Sequence, residues 1–210
     1  MDTHFSLSPR NANHPRKGAT IKVEPIRRIE DIERVKAHLE NTPRDRCLFI
    51  FGINTAYRAK ELLSIRVGQV RHLKAGDGLD LKQSKNKRYR MTTLNRPAIV
   101  AIKNWLDVHP YPVKDAPLFP SRKGGALGVA PVNHMMKRWC AAVGLEGNYG
   151  SHTLRKTWGY HQLRRNKKTA PHLVLPLLME AYGHATQQQT LEYLCIQSDE
   201  IATLFMDMEL

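Results

Sequence analysis

The segments that decide the fold prediction are HTLRKT at residues 152–157, YGHAT at residues 182–186 and TLEY at residues 190–193. Each segment is weak evidence alone, because a Gly-His step often ends a helix and a tyrosine at helical spacing often packs in a core. Their order is more specific, since two histidines and an arginine precede a tyrosine. His184 lies nine residues before Tyr193, and this spacing fits one turn followed by a short helix.

Two earlier segments extend the pattern, NTAYRAKELL at residues 54–63 and KQSKNKRYR at residues 82–90. The first places an arginine at the start of an apolar helix, followed by Glu-Leu-Leu. The second is a lysine-rich turn between two short strands. In chain order, the residues that the segments single out are Arg58, Lys85, His152, Arg155, His184 and Tyr193.

In this order the segments resemble the motifs of the tyrosine recombinase (phage integrase) family, and the resemblance covers about residues 26–198. It implies a mainly α (α+β) fold, a helical catalytic domain with a small antiparallel β-sheet. It also implies a site-specific recombinase that cuts and rejoins DNA through a 3′-phosphotyrosine intermediate, with Tyr193 as the nucleophile. Such an enzyme integrates, excises or inverts DNA, and many serve a mobile element.

The chemistry of attack on a phosphodiester explains why these residue types are needed. Negative charge gathers on the non-bridging oxygens, and the guanidinium groups of Arg58 and Arg155 can each donate two hydrogen bonds to such oxygens. A phenol has a pKa of about 10, so the Tyr193 hydroxyl needs a group that accepts its proton. His152 is the candidate for this base.

The resemblance gives Lys85 the role of protonating the leaving 5′-oxygen and gives His184 a hydrogen bond to the phosphate. Lys82 and Lys87 flank Lys85, so the alternative that all three lysines only contact phosphate stays open. The arginines take the part that metal ions play in other nucleases, and we therefore expect no metal and no small-molecule cofactor. The new bond is close in energy to the bond it replaces, so no ATP is expected either.

Two positions depart from the family's common motifs. Ala56-Tyr57 stands before the first arginine, where Gly-Leu is common, and Lys156 follows the second arginine, where His or Arg is frequent. Neither change removes a catalytic group, although Tyr57 can alter how Arg58 is presented. Glu61, the carboxylate nearest to that arginine in sequence, is expected to brace the Arg58 helix.

The charge balance indicates a polyanionic partner. Lys and Arg number 33 against 19 Asp and Glu in 210 residues, a formal net charge of +14, and double-stranded DNA is the expected partner. No apolar run is long enough to span a bilayer and no signal-peptide pattern is present, so we expect no membrane contact and a cytoplasmic location. The residues expected to bind DNA outside the catalytic set are Lys82, Lys87, Arg88, Arg164, Arg165, Lys167 and Lys168.

Hydrophobic periodicity and turn residues predict the domain organisation. Residues 1–25 are polar and predict a flexible N-terminal arm, and residues 26–210 predict the catalytic domain, with a C-terminal helix at about 199–210. Strands are predicted at residues 67–70, 79–82 and 88–94. Helices before the last one are predicted at about residues 29–39, 47–53, 57–65, 98–108, 132–143, 154–165, 173–182 and 186–194.

Three alternatives stay open at this point: a type IB topoisomerase-like enzyme that only relaxes DNA, a catalytically silent DNA-binding regulator, and a basic RNA-binding protein. The intact arginines and tyrosine count against the regulator, and the RNA-binding alternative lacks an aromatic strand motif for stacking bases. Family members usually carry a core-binding domain before the catalytic one, so the chain is either a minimal recombinase or part of a longer one. Recombination between two sites implies self-association on DNA, as a tetramer in the synapse.

Overall fold

The computed structural model of the protein describes residues 22–82, 89–166, 169–196 and 206. Within these residues the chain is mostly helical, with a small sheet between α4 and α5. The helices are α1 (Ile29–His38), α2 (Pro43–Asn54), α3 (Ala59–Leu62), α4 (Val67–Val70), α5 (Arg96–Leu106), α6 (Val129–Ala142), α7 (Ser151–Asn166), α8 (Pro171–Tyr182) and α9 (Gln187–Leu194). The strands are β1 (Gly78–Lys82) and β2 (Tyr89–Thr93), which pair antiparallel.

The centre of the larger hydrophobic core is α2. All of residues 47–52 are buried, because this helix is apolar around its circumference and packs against both α5 and α7. Gly52 permits the close approach to α7, since a Cβ atom at this position would lie 2.7 Å from Leu154 Cδ1. The prediction of a buried helix at residues 47–53 is confirmed.

A smaller apolar cluster joins α7, α8 and α9. Gly159 makes room for the Tyr182 ring, because any Cβ atom at Gly159 would overlap the Tyr182 hydroxyl group. α7 therefore lies between the two clusters and connects the main core to the C-terminal helices. The buried members of the smaller cluster are Ala56, Leu163, Val174, Leu178, Tyr182, Leu194 and Ile196.

The prediction of a strand at residues 67–70 is wrong, because Val67–Val70 forms the helical turn α4. Val67 and Val70 are both buried, and a spacing of three positions puts both side chains on one side of a helical turn. The Gln69 side chain accepts a hydrogen bond from the Arg66 backbone N–H (2.8 Å) and fixes the start of the turn. Over the described residues the sheet therefore has two strands instead of three.

Other predicted elements are confirmed with shifted ends. α3 is shorter than the predicted helix at residues 57–65, because Arg58 has an extended backbone (φ −69°, ψ 151°) and caps the helix. Of the predicted C-terminal helix at about 199–210, residue 206 is described and is helical, and the other residues lie outside the described part. No helix of the described residues is long and apolar enough to cross a membrane.

The segment that precedes α1 lies along the start of α7. The Glu24 carbonyl accepts a hydrogen bond from Thr153 Oγ1 (2.8 Å), and the Ile26 N–H donates to Thr157 Oγ1 (2.9 Å). Residues 22–25, the last part of the predicted N-terminal arm, are therefore held against the domain. Residues 1–21 of that arm lie outside the described residues.

Candidate active site

Three guanidinium groups converge on one backbone oxygen, the carbonyl of Tyr182 at the C-terminal end of α8. The distances from their Nη2 atoms to this oxygen are 2.8 Å for Arg155, 3.3 Å for Arg90 and 3.5 Å for Arg58. The C-terminus of a helix carries partial negative charge, which helps to hold three cations together. Residues from α7, β2 and the start of α3 thereby meet around the end of α8.

Arg58 is oriented by Glu61. The Glu61 carboxylate accepts hydrogen bonds from the Arg58 backbone N–H (2.8 Å) and from Arg58 Nη1 (2.9 Å). Glu61 is buried, and its second oxygen lies 3.6 Å from Arg90 Nη1. The expectation that Glu61 braces the Arg58 helix is confirmed. Tyr57, at the position that departs from the family motif, donates its hydroxyl hydrogen to the Leu79 carbonyl and ties the same segment to β1.

Arg155 is almost fully buried, with only 2% of its surface exposed. Its guanidinium carbon lies 4.5 Å from the centroid of the Tyr182 ring. Its Nη1 atom is buried and has no hydrogen-bond partner among the described residues. Burial lowers the pKa of Arg155 to about 10, so the group stays charged at neutral pH. A buried cation with an unused donor is suited to bind an anion.

Tyr193 lies beside His152, which precedes Arg155 by one turn of α7. His152 Nδ1 is 3.3 Å from the Tyr193 hydroxyl oxygen, within reach of a hydrogen bond. Burial raises the pKa of Tyr193, and the positive charges of Arg155 and Arg58 oppose this rise. Partial loss of hydration, with Arg155 and Lys156 nearby, lowers the pKa of His152. The imidazole is therefore neutral near pH 7 and can accept a proton.

His184 reaches the site because Gly183 ends α8 in a left-handed conformation (φ 65°). Its ring centroid is 5.2 Å from that of Tyr193, and its Nδ1 atom lies 3.0 Å from Thr190 Oγ1. Burial, together with three nearby arginines, lowers the pKa of His184 to about 4. His184 is therefore also neutral near pH 7, with its orientation set by α9.

The other tyrosines near the site are engaged elsewhere. The Tyr182 hydroxyl is buried and donates to the Arg155 backbone carbonyl (2.9 Å), and burial raises the pKa of this phenol. The Tyr160 hydroxyl accepts a hydrogen bond from Arg164 Nε (3.2 Å). Among these three phenols, Tyr193 is the one whose oxygen lies within 3.3 Å of a histidine nitrogen.

The structure brings together five of the six residues predicted to be catalytic, and Lys85 lies outside the described residues. Lys82 ends β1 opposite Tyr89, and Arg164 and Arg165 are exposed in the last turn of α7. The remaining residues predicted to bind DNA also lie outside the described part, and these are Lys87, Arg88, Lys167 and Lys168.

Sequence reasoning missed Arg90, although the quoted segment at residues 82–90 contains it. Arg90 is 9% exposed, and its Nη1 atom donates to the Ala56 carbonyl (3.2 Å). Arg90 thus connects β2 to the segments that carry Arg58 and His184. The alternation of side chains along a strand could have indicated that Arg90 is buried. Arg90 lies opposite Leu81, a buried residue of β1, and paired residues face the same side of a sheet.

Comparison with known proteins gives the family of this chain and the proteins that it is similar to. The model of the phage integrase family matches residues 28–199. The probable integrase/recombinase YoeC of Bacillus subtilis (strain 168) is 33% identical over 180 residues, which are 84% of this chain and 92% of YoeC. The tyrosine recombinase XerC of Alcanivorax borkumensis is 26% identical over 171 residues, which are 77% of this chain and 51% of XerC.

Among solved structures, the post-cleavage complex of the XerH site-specific recombinase bound to palindromic difH substrate is similar, with a TM-score of 0.67 and 25% identity. The likeness covers 89% of this chain and 53% of XerH. This chain therefore spans most of YoeC and about half of XerC and XerH. The predicted fold class, mainly helical with a small antiparallel sheet, is confirmed. The chain belongs to the phage integrase family, the tyrosine recombinases.

Proposed function

We propose that this chain is a DNA strand transferase, a site-specific recombinase that cuts and rejoins double-stranded DNA through a 3′-phosphotyrosine intermediate. The observation that carries the proposal is the position of the Tyr193 hydroxyl oxygen, 3.3 Å from His152 Nδ1. The Arg155 guanidinium carbon lies 6.0 Å from the centroid of the same ring. A nucleophile, a proton acceptor and a cation for the phosphate are therefore assembled in one place.

In the first step, the Tyr193 hydroxyl oxygen attacks the phosphorus of a phosphodiester and its proton passes to His152. The bond between phosphorus and the 5′-oxygen breaks, and Lys85 supplies the proton that this oxygen takes up. The products are a 3′-phosphotyrosine link and a free 5′-hydroxyl. The role of Lys85 rests on the family motif, and the other roles rest also on the geometry of the site.

The arginines stabilise the transition state in this proposal. The Nη1 atom of Arg155 has no hydrogen-bond partner among the described residues, and we infer that it donates to a phosphate oxygen. Arg58 supplies a second guanidinium group. Because Glu61 and the Tyr182 carbonyl hold these groups in place, little reorganisation is needed when charge develops. His184, fixed by Thr190, supplies a further hydrogen bond to the phosphate. In this mechanism the phosphate charge is balanced by guanidinium groups and no metal is required.

The second step is the reverse of the first with a different strand. A 5′-hydroxyl from another DNA site attacks the phosphotyrosine and releases Tyr193, and no external energy source is needed. Exchange between two sites requires several protomers on the DNA, and we expect a tetramer in the synapse. YoeC is named a probable integrase/recombinase, and XerH is a site-specific recombinase bound to palindromic difH substrate, which supports DNA as the partner. Action on DNA also fits the expected cytoplasmic location.

Covalent trapping tests the proposal without knowledge of the target sequence. A pool of nicked duplexes with a randomised centre is incubated with the protein, and DNA that stays linked after denaturation is sequenced. The short 5′-hydroxyl fragment beside the nick diffuses away, so the adduct accumulates at cleavable sites. A recombinase would enrich a defined sequence and would join strands of two such duplexes. An enzyme that relaxes supercoils without strand exchange would show only the adduct, and a silent regulator would show none.

The cleavage rate should depend on pH through His152. Because the pKa of His152 is lowered from the ordinary histidine value of about 6.5, the rate is expected to fall with decreasing pH and to reach half of its plateau at a pH below 6.5. Protonation of the ring removes the acceptor for the Tyr193 proton, and this gives the direction of the change. Single-turnover cleavage across this pH range measures the effect, and His152→Gln should be slow at every pH. A rate that increases with acidification would contradict the role of His152.

DNA affinity should fall steeply with salt. Contacts between basic side chains and phosphates release counterions, so the logarithm of affinity should fall linearly with the logarithm of salt concentration, by about 0.9 for each phosphate contacted. Fluorescence anisotropy with a labelled duplex at several salt concentrations measures the slope. Arg165→Ala, which removes an exposed cation at the end of α7, should make the slope shallower by about 0.9, the contribution of one phosphate contact. An affinity that does not respond to salt would exclude binding through the DNA backbone.

A further inference from the structure

Lys156 is a buried lysine that touches the nucleophile and has no role in the steps above. It follows Arg155 in α7 and is only 5% exposed. Its Nζ atom lies 4.8 Å from the centroid of the Tyr193 ring, at the face of the ring. The same atom donates a hydrogen bond to Cys195 Sγ (3.4 Å). The ammonium group thus contacts both Tyr193 and the residue two positions beyond it.

The surroundings of Lys156 are unusual for a buried cation. Among the described residues, no carboxylate forms a salt bridge with it. Burial lowers the pKa of Lys156, and Cys195 opposes this change. The charge of Glu24 also favours the ammonium form of Lys156, and that of Lys22 disfavours it. Burying a cation without a salt bridge costs free energy, and such residues occur preferentially at functional sites.

Cys195 is well placed to fix the end of α9. It caps this helix in a left-handed conformation (φ 60°) that residues other than glycine rarely adopt. Its carbonyl accepts a hydrogen bond from Arg27 Nη2 (3.3 Å), and its thiol donates to the Val23 carbonyl (3.6 Å). The segment before α1 and Lys156 therefore both hold the residue that follows the nucleophile's helix.

We propose that Lys156 is a positioning residue for Tyr193. Cys195 holds the Lys156 ammonium group against the face of the Tyr193 ring, where its charge stabilises the phenolate character that develops as the hydroxyl gives its proton to His152. The negative charge of a phenolate is delocalised into its ring, so a cation at the ring face favours the deprotonated form. Arg58 and Arg155 pair with the phosphate once DNA binds, which leaves Lys156 as a cation for the phenolate. Within the described residues, the titratable and charged groups that surround Tyr193 besides Lys156 are Arg58, His152, Arg155, Tyr182, His184 and Cys195.

This inference rests on the proposed function for its meaning, but it can be tested in this 210-residue chain without DNA. A ring-fluorinated tyrosine, whose phenol is more acidic than that of tyrosine, replaces all seven tyrosines. Fluorine NMR then follows each phenol through a pH titration, and the Tyr193→Phe variant identifies the Tyr193 resonance. Lys156→Gln removes the charge and keeps a group that can bond to the Cys195 sulfur. Lys156→Arg keeps the charge, and Lys103→Met removes an exposed lysine of α5 as a matched control.

The expected result is that Lys156→Gln raises the pKa of the Tyr193 phenol by about one unit, whereas Lys156→Arg and Lys103→Met leave it almost unchanged. A Tyr193 pKa that is unchanged in folded Lys156→Gln overturns the proposal, because a purely structural lysine would affect unfolding and not this ionisation. Should Lys156→Gln fail to fold, Lys156→Met and Cys195→Ala provide the same comparison, and the smaller shift is expected for Cys195→Ala. An adduct in wild type together with an unchanged pKa would refute only the role of Lys156. A shifted pKa without any adduct would refute only the proposed function.

Discussion

Replacing Tyr193 with phenylalanine is expected to abolish the covalent protein–DNA adduct and to leave DNA binding almost unchanged. The substitution removes the attacking oxygen and keeps the ring that packs edge-to-face against His184 and Tyr182, at centroid distances of 5.2 Å each. The fold should therefore be preserved while the reaction has no nucleophile. Denaturing gels with a labelled nicked duplex measure the adduct, and fluorescence anisotropy measures binding.

Tyr160→Phe is the matched control for this variant. It also removes one phenol oxygen, but that oxygen accepts a hydrogen bond from Arg164 and lies on the outer part of α7. The adduct should form in Tyr160→Phe at nearly the wild-type level. An adduct that persists in Tyr193→Phe would show that another residue attacks the DNA.

Replacing Arg155 with alanine is expected to slow cleavage by on the order of a hundredfold to a thousandfold, the usual effect of removing one preorganised donor from a transition state. Arg155 is almost fully buried, and its Nη1 donor has no partner among the described residues. Water that enters the space left by the side chain cannot supply the positive charge that stabilises the transition state. Single-turnover cleavage measures the rate. DNA affinity should change much less, because many exposed cations contribute to it.

The controls for Arg155→Ala separate catalysis from folding. Arg155→Lys keeps a charge but loses the planar group that donates two parallel hydrogen bonds, so its rate should lie between those of alanine and wild type. Lys103→Met removes an exposed cation of α5 that is not among the residues expected to bind DNA, and it should leave the rate nearly unchanged. Thermal unfolding shows whether each variant is folded. A cleavage rate close to wild type in folded Arg155→Ala would contradict the proposed mechanism.

Elements with a strong local signal were predictable from the sequence. The continuous apolar run at residues 47–53 predicted α2, and the short segments at residues 79–82 and 88–94 predicted the paired strands β1 and β2, whereas residues 83–88 of the lysine-rich turn lie outside the described part. The turn at Val67–Val70 was not predicted, because four residues are too few to show a helical period and the β-branched valine at each end favours a strand. Its helical form depends on contacts with a distant loop, such as the hydrogen bond from the Val67 N–H to the Ala116 carbonyl (3.0 Å).

Five of the candidate site residues were predictable from the sequence, whereas the groups that hold them in place were not. The order of the motifs pointed to Arg58, His152, Arg155, His184 and Tyr193, and the structure brings these residues together. The shared acceptor, the Tyr182 carbonyl, is a backbone atom that carries no sequence signal. Arg90 was hidden among other basic residues of the hairpin, and its role follows from long-range contacts that no local pattern reveals.

The identity of the amino acid bonded to DNA in the trapped adduct tests the central claim most directly. Trypsin leaves Tyr182 and Tyr193 in one peptide, since neither lysine nor arginine follows Lys168. Cleavage after glutamate separates residues 181–192 from residues 193–200, and mass spectrometry then shows which peptide carries the nucleotide. We expect a 3′-linked nucleotide on the peptide of residues 193–200, bonded to Tyr193. A nucleotide on residues 181–192, or one attached through its 5′-phosphate, would contradict the account.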